Sequence, residues 1–129
     1  MMGHISFGVS DLARSQAFYD ATMQALGYAC VFTSAHAVGY GAPGSTNDRL
    51  LLIQQPGPVA PPGPGFHLAF VAPSREAVDR FHAAALAFGG IDQGPPGLRP
   101  HYGPDYYAAF VLDPDGYKLE AKHPHPLEE

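Results

Sequence analysis

The stretch His4-Ile-Ser-Phe-Gly-Val-Ser-Asp-Leu-Ala-Arg-Ser-Gln-Ala-Phe18 returns, altered but recognisable, as His67-Leu-Ala-Phe-Val-Ala-Pro-Ser-Arg-Glu-Ala-Val-Asp-Arg-Phe81. At one offset of 63 positions His4 falls on His67, Phe7 on Phe70, Phe18 on Phe81 and Gly27 on Gly90, with no gap. The period is longer than that of solenoid or propeller repeats, and only two copies fit, so the chain reads as a duplicated unit. Each copy opens with a short strand rich in aromatic and branched residues, Ile5 to Val9 and Phe66 to Ala72. A helix follows. The first can be capped by Ser10 or Asp11 and stopped by Gly27, with a stripe of Phe18, Ala21, Ala25 and Leu26 interrupted by Thr22. The second takes Ser74 as cap, Val78, Phe81, Ala84, Ala85 and Phe88 as stripe, and Gly89 with Gly90 as stop.

Extended segments come after each helix: Ala29 to Thr33, Ala37 to Gly41 and Leu50 to Gln54 in the first copy, Tyr106 to Leu112 and Tyr117 to Lys122 in the second, with a weaker strand near Ile91. Asp113-Pro-Asp-Gly116 has Pro at the second position of a type I turn and Gly at the last, and predicts the final hairpin. The expected fold is therefore α+β: two tandem βαβββ modules making a curled, barrel-like mixed sheet with the helices outside. One domain spans 1–129, divided into module one (1–55), a proline-rich linker (56–65), module two (66–123) and a tail (124–129).

Bulk properties narrow the functions. An apolar share of 46% with 15% charged residues describes a chain able to build a core. The net charge is −5 with Lys and Arg scattered, so a nucleic-acid or anionic-lipid partner is not expected. Cys30 is the sole cysteine, which excludes an intrachain disulfide and a thiolate zinc cluster. With no leader-like or membrane-spanning apolar run, a cytoplasmic location is expected.

Strand alternation then selects candidate chemistry. If Ile5, Phe7 and Val9 face the helices, His4 points the other way; Phe66, Leu68 and Phe70 do the same for His67, and Tyr117, Leu119 and Ala121 for Glu120. Two imidazoles and one carboxylate suit a divalent cation such as Zn, Mn, Fe, Co or Ni, with positions left open for water and substrate. A lone strand histidine is more often solvated or hydrogen-bonded than a ligand, and Lys118 and Lys122 could make the Glu120 face an ordinary charged surface. Repetition of the histidine at matching positions favours the metal reading. His82, His123 and His125 read as surface residues.

The first of these stretches and Ala109-Phe-Val-Leu-Asp-Pro-Asp-Gly-Tyr-Lys-Leu-Glu120 resemble the opening and closing motifs of the vicinal oxygen chelate superfamily. That superfamily takes in glyoxalase I, extradiol dioxygenases, fosfomycin-resistance enzymes and bleomycin-resistance proteins. The resemblance implies His4, His67 and Glu120 as metal ligands, a small oxygenated substrate, and a homodimer, in some members with the site shared between subunits. It implies a metal-dependent lyase, isomerase, transferase or dioxygenase. The family's fourth ligand falls in the fourth strand, where Arg49-Leu-Leu-Leu-Ile-Gln-Gln55 offers no acid, so Gln54 or water would complete the sphere and the chain departs there from the glyoxalase I pattern. The segment Gly97-Leu-Arg-Pro-His-Tyr-Gly-Pro-Asp-Tyr-Tyr107 resembles a loop of small superfamily members. There Arg99 offers an anion fork, His101 a catalytic acid or base, and Tyr102 and Tyr106 phenolic substrate contacts. The alternative is a metal-free binding protein like the bleomycin-resistance proteins, whose acidic cleft captures a cationic ligand.

Overall fold

The computed structural model describes residues 1–124. The elements run β1 (Ile5–Val9), α1 (Leu12–Ala25), β2 (Ala29–Thr33), β3 (Ala37–Gly41), β4 (Leu50–Gln54), β5 (Leu68–Val71), α2 (Arg75–Ala87), β6 (Ile91–Leu98), β7 (Tyr107–Leu112) and β8 (Lys118–His123). This is βαβββ twice. The strands form two four-stranded sheets with the same order, β1-β4-β3-β2 and β5-β8-β7-β6. In each, the first and last strands of the module pair in parallel and the others antiparallel. The sheets curl without closing into a barrel. No helix among the described residues is long and apolar enough to cross a membrane.

Both helices start where their caps dictate. Asp11 rather than Ser10 caps α1, its carboxylate accepting from the Arg14 N–H at 3.1 Å, and the Ser74 hydroxyl accepts from the Ala77 N–H at 3.1 Å in α2. Gly27 and Gly89 take φ of +90° and +95° just past the helix ends, a conformation costly for any residue with a Cβ. Phe18 and Phe81, equivalent in the repeat, are both fully buried, each burial contributing about 1.5–3 kcal/mol. Phe88 departs from the expected stripe. It is the C-cap of α2, and its φ of −115° and ψ of 31° swing it off the helical face, leaving it 47% exposed.

The strand expected only weakly near Ile91 runs eight residues and includes Pro95 and Pro96. β6 is an edge strand whose pairing with β7 shifts register between Asp92 and Gly94 and again between Gly94 and Gly97, so the prolines need donate nothing to a ladder.

The two modules are joined at the Asp113 turn. The Gly116 N–H returns to the Asp113 carbonyl at 2.9 Å, and Gly116 has φ +95°. The Tyr19 hydroxyl of α1 donates to Asp113 Oδ2 at 2.6 Å, the Tyr117 hydroxyl donates to the Gly8 carbonyl at 2.8 Å, and the Tyr117 ring stacks on Phe7 at 4.4 Å. Ser10 and Arg14 both reach the Asp115 carboxylate. The hairpin of one module thus plugs the strand-to-helix junction of the other.

Candidate functional site

Each sheet carries a helix on one face only. In the second sheet Ala109, Val111, Leu119 and Ala121 are fully buried against the helices, so alternation turns Phe110, Lys118, Glu120 and Lys122 to the bare face. The register agrees, placing Phe110 and Ala69 on either side of Glu120 and Ala108 beside Lys122.

Glu120 is only 2% exposed and does not stand alone. His67, which immediately precedes β5, brings Nε2 to 2.9 Å from Oε1, and the Tyr106 hydroxyl donates to Oε2 at 2.6 Å. A carboxylate can only accept, so His67 presents an N–H there. Together the two donors offset the several kcal/mol that an unpartnered buried carboxylate would cost. Burial, and then the bond to Glu120, push the Tyr106 phenol well above its ordinary pKa, which keeps it a neutral donor. The parity of the neighbouring tyrosines is thereby resolved: Tyr106 serves the bare face, while Tyr107 turns to α2 and donates to Asp79 at 2.7 Å.

The loop before β7 converges on the same face. Arg99 lays its guanidinium across β6, donating to the Pro95 carbonyl at 2.7 Å with Cζ 5.6 Å from the Phe110 ring centre. A Cβ on Gly94 would come within 3.2 Å of this guanidinium and one on Gly97 within 3.3 Å, so the two glycines make the bed on which it lies. Tyr102 packs 5.2 Å from Tyr106 and His101 packs 4.1 Å from Tyr102, at the solvent-exposed end of the stack. His101 therefore stands two rings away from Glu120. Lys118 and Lys122, which sequence reading treated as flanking charges, belong to the site's surroundings: Lys118 Nζ is 5.4 Å from the Phe110 ring and Lys122 Nζ 5.0 Å from the Tyr106 ring. Alternation around Glu120 was the signal for both. His82, expected at the surface, pairs with Asp92 at 2.9 Å, and His123 bonds the Ala72 carbonyl at 2.9 Å. His125 lies outside the described residues.

His4 is elsewhere within the chain. It is exposed, just ahead of β1, on the bare side of the first sheet, and lines a cleft of about 350 Å³ with Tyr28, Arg49, Leu68 and Phe70. Among the described residues no three His, Cys, Asp or Glu side chains gather closely enough to hold an ion, so His4 does not join His67 and Glu120 in the same chain. The donors that do meet fit a metal in kind: ligand atoms about 2.0–2.2 Å from an ion lie about 3.0 Å apart at octahedral angles and about 3.4 Å apart at tetrahedral ones, so the 2.9 Å between His67 and Glu120 is close to the octahedral spacing. They do not fit in number without a third ligand from outside the chain.

Gln54 is corrected as a candidate ligand. It pairs in register with the buried Val9, hence on the helix side, and its amide is spent there: Oε1 accepts from the Leu12 N–H at 2.8 Å and Nε2 donates to the Ser10 carbonyl at 2.9 Å. On the side of His4, β4 offers only Leu51 and Ile53. Gln54→Ala is expected to cost about 1–2 kcal/mol through the lost cap and to leave metal content unchanged, read by urea denaturation and elemental analysis.

The family profile described as Glyoxalase/Bleomycin resistance protein/Dioxygenase superfamily matches residues 1–121. A glyoxalase/bleomycin resistance protein from Albidiferax ferrireducens is 36% identical, with 97% of this chain and 99% of that one covered, at a TM-score of 0.81. A glyoxalase-related enzyme from Fulvimarina pelagi shares the fold at 24% identity, 95% and 86% coverage and a TM-score of 0.71. A fosfomycin resistance protein from Listeria monocytogenes does so at 18% identity, 99% and 96% coverage and a TM-score of 0.70. Among curated proteins none matches the chain. With its repeat, its sheet order and a profile match running through Glu120, the chain belongs to the Glyoxalase/Bleomycin resistance protein/Dioxygenase superfamily.

Proposed function

We propose that this protein is a divalent-metal-dependent enzyme acting on a small oxygenated molecule, with His67 and Glu120 of one protomer and His4 of a second holding the ion. The observation that carries the reading is the buried Glu120 carboxylate 2.9 Å from the His67 imidazole on the sheet face that carries no helix. Superfamily members commonly use divalent metals, bind small molecules and often pair. Pairing has a physical motive. The bare faces leave Leu51 and Ile53 of one sheet and Phe110 and Leu112 of the other partly exposed, and a homodimer that lays one over the other covers them and delivers His4 to His67 and Glu120.

The bound ion would supply Lewis acidity toward a substrate oxygen. The chain's own residues do the rest. Tyr106 fixes the Glu120 rotamer with its donated hydrogen bond, Arg99 lays its guanidinium above Phe110, Tyr102 walls the loop side, and His101 at the outer end of the ring stack serves as acid or base. Capture of a cation in an acidic cleft is disfavoured by Arg99, Lys118 and Lys122 around Glu120. Elemental analysis of the purified protein decides the matter. Stoichiometric metal that disappears in His67→Ala is expected, and no metal in either protein would leave the metal-free binder.

A further inference from the structure

The bare face of the second sheet has the wrong charge for the protein that bears it. The chain is acidic overall, at −5, yet three of its seven Lys and Arg residues surround two rings beside Glu120. Lys122 is the most telling. It is 8% exposed, and its ammonium has the Pro124 carbonyl at 3.3 Å and the Tyr106 ring at 5.0 Å for company. None of the ion pairs among the described residues uses Arg99, Lys118 or Lys122. Burying an ammonium without a counter-charge costs several kcal/mol, and a carbonyl with a cation–π contact returns only part of that. Glu120 lies on the same face, but its carboxylate makes no ion pair within 4.0 Å of Lys122 and so offsets the cost only at longer range.

Beside one of these cations, Lys118, is a cavity of about 390 Å³, bounded by the linker at Pro62 and Pro64 and by His67, Gln93 and Leu112. That volume suits a small molecule. The geometry points to an anionic ligand: a carboxylate, phosphonate or phosphate on a compact, partly apolar body, its charge received by Lys118 and its body lying along Leu112, with Lys122 and Arg99 on the same sheet face adding to the positive field. This inference rests on the proposed small-molecule site and adds its ligand class. It assigns Lys118 as a specificity residue.

Four probes of similar shape and different charge test it by calorimetric titration: phenylphosphonate, benzoate, benzamide and benzyltrimethylammonium. Each is titrated into the protein as purified and again after dialysis against a chelator. The two anions are expected to bind in both preparations, more weakly as salt is added. Lys118→Met is expected to weaken them roughly tenfold or more and Lys122→Met, which acts through the field alone, by less, while Arg80→Met, on exposed α2 surface, has no effect; Lys118→Met carries the test if Lys122→Met does not fold. The inference is overturned if benzamide or the quaternary cation binds better than benzoate, if both lysine variants bind the anions unchanged, or if the chelator abolishes anion binding. Binding by none of the four would overturn the small-molecule site itself and this inference with it.

Discussion

Neither His4→Ala nor His67→Ala is expected to retain metal when purified alone, yet a mixture of the two, unfolded and refolded together, is expected to regain it at about a quarter of all sites. The arithmetic follows from the separation of His4 from the His67–Glu120 pair within one chain. Random pairing makes about half the dimers mixed, and in each mixed dimer one site has every ligand and the other has lost both histidines. A site built within one chain would regain nothing, because every chain in the mixture lacks one ligand. Elemental analysis of the refolded mixture reads the outcome, and size-exclusion chromatography checks that pairing survives in both variants. Metal retained by His4→Ala alone would remove that residue from the ligand set.

The parts of this site that sequence could expose are those governed by alternation within one strand. Lys118, Glu120 and Lys122 lie two apart in β8, so sorting them from Leu119 and Ala121 needed only the hydrophobic pattern, and the matching pattern after Phe66 put His67 on the same side. Gln54 escaped because Leu50, Leu51, Leu52 and Ile53 are all apolar, and a continuous run gives no period-2 signal to say which side a following residue takes. The separation of His4 escaped for a different reason. How two modules pack is decided by contacts such as Tyr19 with Asp113 and Tyr117 with Gly8, formed between residues about a hundred positions apart, and neither repeat nor propensity encodes them. β6 was underread because Gly94-Pro-Pro-Gly97 looks like a break, and only its place at the sheet edge makes the prolines harmless.

Asp113→Ala is expected to destabilise the protein by about 3–5 kcal/mol, and Asp113→Asn by less than about 1.5 kcal/mol. The carboxylate is 2% exposed and works as a three-way acceptor: Oδ2 takes the Tyr19 hydroxyl at 2.6 Å, and Oδ1 takes the N–H groups of Asp115 and Tyr117, each at 2.9 Å. Alanine strands all three donors, one of them on a fully buried tyrosine, and uncouples α1 from the final hairpin. Asparagine keeps an oxygen for the two backbone donors and offers its NH2 to the Tyr19 oxygen, which can accept in place of donating. A pH signature accompanies the change. Burial raises the Asp113 pKa more than its hydrogen bonds lower it, so the folded state holds the proton more tightly than the unfolded chain does. An acid shifted that way contributes stability that is complete below its unfolded pKa of about 3.9 and is lost as pH climbs through the raised folded value. Asp113→Asn removes that contribution to the slope, so its stability relative to the parent improves as pH rises above about 4. Urea denaturation at several pH values measures both effects. Equal losses in the alanine and asparagine variants, or a difference between parent and Asp113→Asn that does not change with pH, would show that this carboxylate is not what couples the two modules.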